Sequence, residues 1–84
     1  MRTVGKKFQI PGPVLDASGQ PLPDDEPIML FRGKDALLPE VMEHYIQLRR
    51  QRGQSSAALA ELQAYADELT AWQASHPDRL KYPD

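Results

Sequence analysis

Hydrophobic residues along this chain change their spacing near residue 33, and the change predicts two kinds of structure. From there on, apolar positions recur at helical intervals. Leu38, Val41, Met42, Tyr45 and Leu48 share one face of a 3.6-residue repeat, with Leu37 and Ile46 at its margins, which predicts a helix over 35–52. Ala58, Leu62, Tyr65, Ala66, Leu69 and Trp72 form a second stripe and predict a helix over 55–76. Ahead of these helices no period holds. Pro11, Pro13, Pro21, Pro23 and Pro27 interrupt the chain, and four of its five glycines lie at or before Gly33, which predicts an extended, turn-rich arm over 1–26. Asp16 and Gly19 mark a turn or loose hairpin inside it, because Asp bonds its own backbone and Gly tolerates positive φ.

Between arm and helices, residues 27–32 are a short apolar run bounded by turn residues, the best strand in the sequence. Ile28 and Leu30 would face one side and Met29 and Phe31 the other, so both faces need cover. The start of the first helix has two readings: Asp35 as its N-cap, or Pro39 at its first turn with a short turn from Asp35 leading in. Its end is marked by Arg49, Arg50 and Arg52, which suit the negative end of the helix dipole, and by Gly53. Ser55 or Ser56 caps the second helix, His76-Pro77 ends it, and 77–84 is a tail. A link this short makes the helices antiparallel neighbours. The expected fold is therefore α+β and mostly α, a single small domain over 1–84. It consists of an antiparallel helical hairpin, one short strand and an extended proline-rich N-terminal arm.

Composition narrows what such a domain can do. At 84 residues it has a small core. With no cysteine it lacks disulfides and thiolate metal sites, which leaves oligomerisation as the means of covering apolar surface, and a homo-oligomer is expected. A net charge of −2 argues against binding duplex nucleic acid, and no apolar run approaches the roughly 20 residues that cross a bilayer. Arg2, Lys6 and Lys7 precede no apolar segment, so no secretory signal is expected and the cytoplasm is the expected location.

Catalytic motifs are missing. The sequence has no phosphate-binding glycine loop, no nucleophile elbow and no zinc-binding His pair, and the expectation is a non-catalytic protein with no cofactor and no metal. His44 sits beside Glu43 on a helix, where a solvated histidine is the ordinary outcome, and Asp24, Asp25 and Glu26 lack the further spaced ligands of a metal loop. The segment with the most chemistry is Arg32-Gly33-Lys34. Two cations flank a glycine just ahead of helix N-terminal amides, a setting that attracts phosphate or carboxylate. The plain alternative makes Arg32 a salt-bridge partner and Gly33 a turn residue. Tyr45 and Trp72 complete the candidate ligand site, as aromatics able to stack on a base if a second subunit brings them in, although both also fit a core.

Residues 25–35, Asp-Glu-Pro-Ile-Met-Leu-Phe-Arg-Gly-Lys-Asp, followed by Leu38-Pro39, Tyr45 and Ala71-Trp72-Gln73, resemble a pattern found in small proteins encoded by bacteriophages and prophages. Leu38 stands where that pattern has a small residue. The resemblance carries no activity. It implies a phage accessory protein acting inside the host cell, with counter-defence as the leading role. Such a protein would inhibit a host defence protein or sequester a small anionic nucleotide signal. The alternative is a structural or assembly protein, or an antidote-like regulator, acting by protein–protein binding.

Overall fold

A computed structural model describes residues 2–4 and 8–82 of the chain, which divide into two compact units, Met1–Leu30 and Phe31–Asp84. The first unit holds two short strands, β1 (Arg2–Val4) and β2 (Phe8–Ile10), paired antiparallel with Arg2 opposite Ile10, Thr3 opposite Gln9 and Val4 opposite Phe8. Further along, a tight loop folds back on itself. Leu15 bridges Pro21, the Asp16 amide donates to the Gln20 carbonyl at 2.8 Å, and the Leu22 amide donates to Val14 at 2.8 Å. The Asp16 carboxylate organises this loop by accepting from the Ser18 amide, the Ser18 hydroxyl and the Gln20 amide. The Ser18 hydroxyl, followed by the Gln20 amide, holds its pKa below the usual 3.8. Gly19 closes the loop at φ 85°.

The second unit is a helix pair, α1 (Leu38–Gln51) and α2 (Ser56–Ser75), followed by a single 3₁₀ turn, Pro77–Arg79. The start of α1 lies beside the end of α2, so the pair is antiparallel. The link between them follows local rules. Gly53 at φ 82° donates to the Arg50 carbonyl, and Gln54 donates to Arg49, the two bonds of a Schellman turn. Ser55, in extended backbone, accepts from the Ala58 amide and caps α2.

Where α1 begins, both of the sequence's readings contribute. Asp35 sits in a turn, its carboxylate accepting from the Leu37 amide at 2.9 Å and its carbonyl from Leu38 at 3.1 Å. Pro39 then occupies the first turn of the helix, where a missing N–H costs nothing.

Two expectations need correction. Residues 27–32 form no strand; the strands lie at Arg2–Val4 and Phe8–Ile10. A strand needs a ladder partner for its backbone, and no strand among the described residues pairs with this run. The inward face of α1 also differs. Leu38 and Ile46 are the buried positions, with Met42 half-buried between them, while Val41, Tyr45 and Leu48 stay about half exposed. The apolar arc of α1 is wider than α2 can cover, and the packing takes one edge of it. On α2 the inward stripe is Ala58, Leu59, Leu62, Ala66, Leu69, Trp72 and Gln73, continued by His76 just past the helix end, with Tyr65 outside it.

Candidate functional site

The end of the unit opposite the Gly53 link is held by contacts between residues far apart in sequence. Gln73, a polar residue on the inward stripe of α2, donates from Nε2 to the carbonyls of Gly33 at 2.9 Å and Asp35 at 2.8 Å. The tail returns to the same place. The Ala36 amide donates to the Lys81 carbonyl at 2.8 Å, and the Lys81 amide donates to the Lys34 carbonyl at 2.9 Å. Together these bonds lay the segment 33–36 between α2 and the tail.

Trp72 is the centre of this end. His76, one turn on, stacks against it with ring centroids 4.4 Å apart and planes 20° apart. His76 is oriented by its Nδ1, 2.7 Å from the Trp72 carbonyl. A carbonyl only accepts, so Nδ1 carries the proton. The Arg79 guanidinium lies over the indole, 4.9 Å from the ring centre, in cation–π contact. Gly33 packs on the ring as well; a Cβ there would stand 3.7 Å from Trp72 Cε3, an ordinary contact.

Beside this cluster runs an open groove of about 740 Å³. Its apolar and aromatic lining comes from Phe31, Leu38, Met42, Tyr65, Leu69 and Trp72. Three cations, Arg32, Lys34 and Arg79, line it with a single carboxylate, Glu68. A volume of this size falls within the roughly 300–1,000 Å³ typical of small-molecule sites. Chemically the groove suits a flat apolar group joined to an anion. Phe31 and Tyr65, half exposed or more, offer ring surface, while stacking on Trp72 would have to displace Arg79.

Arg32, Gly33, Lys34 and Trp72, four of the five residues expected at the site, line this one groove. Tyr45 does not. It lies seven residues beyond Leu38 on α1, about 10 Å along the axis, where it lines a shallow depression with Leu48, Arg49 and Arg52 and carries the Arg49 guanidinium 5.4 Å from its ring centre. The amides around 33–36, expected to hold an anion, are in part occupied. The Asp35 amide donates to the Arg32 carbonyl and the Ala36 amide to the Lys81 carbonyl, so these two amides are already engaged.

Two participants were not anticipated, Gln73 and Arg79, while Tyr65, an aromatic of the α2 stripe expected in the core with base stacking as its alternative, lines the groove. Gln73 had a legible signal, since it stands four residues after Leu69 on the inward stripe of α2, where a polar side chain needs a partner. Arg79 had none. Elsewhere, His44 is exposed on α1, and among the described residues no group of three His, Asp or Glu side chains gathers as a metal site. No helix among the described residues is long and apolar enough to cross a membrane.

No protein-family model matches the chain, and searches of curated proteins and of solved structures return no match either.

Proposed function

We propose that this protein works by binding, without catalysis, and that the groove beside Trp72 takes a small anionic ligand with a planar ring, the chemistry of a nucleotide. The observation that carries this reading is the lining itself: three cations and one carboxylate around an apolar, aromatic floor. Arg32 and Arg79 present planar forks that match phosphate. Phe31 and Tyr65 supply the ring surface against which a base packs, a contact worth roughly 1–3 kcal/mol per base. In the phage setting that the sequence resembles, the ligand would be a host nucleotide signal and sequestration the means of counter-defence, with the host cytoplasm as the place of action.

Calorimetry with cyclic dinucleotides, mononucleotides, free bases and inorganic phosphate tests this. Nucleotides should bind more tightly than base or phosphate alone. Arg32→Ala should weaken binding about 10- to 150-fold, the scale of one charge-assisted bond. An absence of heat with every nucleotide would overturn the reading. A second reading, an assembly or inhibitor protein acting through protein–protein contact, draws on the half-exposed apolar ridge of α1.

A further inference from the structure

The charges that line the groove are not evenly spread. The cations gather at the Trp72 end. Arg79 lies 4.9 Å from the indole centre, and the segment carrying Arg32 is tied to α2 there, where Gln73 donates to the Gly33 carbonyl at 2.9 Å. Glu68, the single carboxylate in the lining, stands four residues before Trp72 on α2, about 6 Å along the axis. It shares a face of the helix with Tyr65, three residues before it, and with Trp72. Along α2, Gln63, Asp67, Thr70 and Gln73 make the side-chain hydrogen bonds, and among the described residues none engages the Glu68 carboxylate.

This arrangement orients a nucleotide. Phosphate is drawn to Arg32 and Arg79 and repelled by Glu68, so a base lying over Tyr65 turns its edge toward the carboxylate. An ionised carboxylate accepts hydrogen bonds and donates none. It therefore sorts bases by the donors on that edge. Guanine carries two neighbouring donors, N1–H and the exocyclic N2 amine, which match the two carboxylate oxygens. Adenine and cytosine each set one amine beside a ring-nitrogen lone pair, and uracil flanks one N–H with two carbonyls. Each of these three turns an acceptor against a carboxylate oxygen.

We propose that Glu68 makes the groove selective for guanine nucleotides over adenine nucleotides. This rests on the reading of the groove as a nucleotide site and adds the identity of the base.

Calorimetry of the full chain with guanine, hypoxanthine and adenine nucleotides, each as the monophosphate and as the cyclic dinucleotide, tests it. The guanine forms should bind about tenfold more tightly than the adenine forms, toward the low end of what a bidentate contact to a base edge discriminates, because Glu68 is exposed. The hypoxanthine forms, which keep N1–H and lack the amine, should fall between them. Glu68→Gln, on an exposed helix face, should keep its helical circular dichroism. It exchanges one acceptor for a donor and should bring the guanine and adenine affinities within about twofold of each other. The base series uses the unaltered chain, so the test holds even if the variant fails to fold. Equal affinities, a preference for adenine, or a guanine preference that survives Glu68→Gln would each overturn the proposal and leave the groove standing as a nucleotide site. No binding by any of these nucleotides would overturn both.

Discussion

Where α1 passes into α2, the stabilising bonds join residues no more than five apart: Gln54 to Arg49, Gly53 to Arg50, Ala58 to the Ser55 hydroxyl. At the opposite end of the same pair, Gln73 reaches residues 40 and 38 positions away, and the tail bonds back to Lys34 and Ala36. The first end is closed by local chemistry and presents only a shallow depression. The second is assembled from three stretches of chain, and the large groove forms there. Surfaces gathered from distant segments place side chains together that no local rule would pair, and here these are Arg32, Tyr65, Trp72 and Arg79.

The sharpest way to break this contrast is at Gln73. Gln73→Leu removes both donors and leaves the carbonyls of Gly33 and Asp35 without them in a partly buried setting, which should cost about 1–3 kcal/mol. At roughly 4–8 °C per kcal/mol for a domain of this size, a thermal melt resolves it. The same variant should also weaken any ligand bound in the groove, because segment 33–35 loses its anchor.

The two glycines give the next largest effect and a direct comparison. Gly53 sits at φ 82°, so Gly53→Ala should cost about 1–2 kcal/mol. Gly33 has no positive φ, and an added Cβ meets Trp72 at 3.7 Å, so Gly33→Ala should stay within about 0.5 kcal/mol. Chemical denaturation of the two variants side by side checks the order. Equal losses would mean that Gly33 serves the backbone in the same way as Gly53.

Ser55→Ala should cost about 1 kcal/mol in the same assay, the usual loss of an N-cap. The smallest effect belongs to the Asp16 loop, another locally bonded turn. Its carboxyl is held below 3.8 in the folded chain, so the loop's stabilisation is present above that value and is lost as pH falls through the lower folded-state pKa. An NMR titration of the Ser18 and Gln20 amides should therefore turn at a midpoint below 3.8. A midpoint at or above it would contradict the bonding described.

The same division between local and distant bonds explains what could be read from sequence. Gly53, Ser55 and the turn at Asp35 announce themselves within a few residues, both helices follow from apolar spacing, and their antiparallel pairing follows from the short link. The segment 27–32 misled because apolar runs look alike whether or not a ladder partner exists. Tyr45 and Tyr65 misled in opposite directions. Tyr45 has the spacing of a groove or core residue but lies too far along α1, while Tyr65 sits on a stripe that turns only partly inward. Arg32, Gly33, Lys34 and Trp72 were legible as residue types suited to a ligand. That they share a groove depends on a contact between Gly33 and Trp72, 39 positions apart, and on a tail whose docking leaves no trace in hydrophobic spacing.

Trp72 is the chain's only tryptophan and lines the groove under Arg79, so its emission reports on that site alone. We propose that an anionic planar ligand binds there. Titration with nucleotides should change Trp72 fluorescence saturably, with the midpoint found by calorimetry, and Arg79→Ala should shift that midpoint to higher concentration. Binding heat with unaltered Trp72 emission, or an emission change that sodium chloride reproduces, would contradict it.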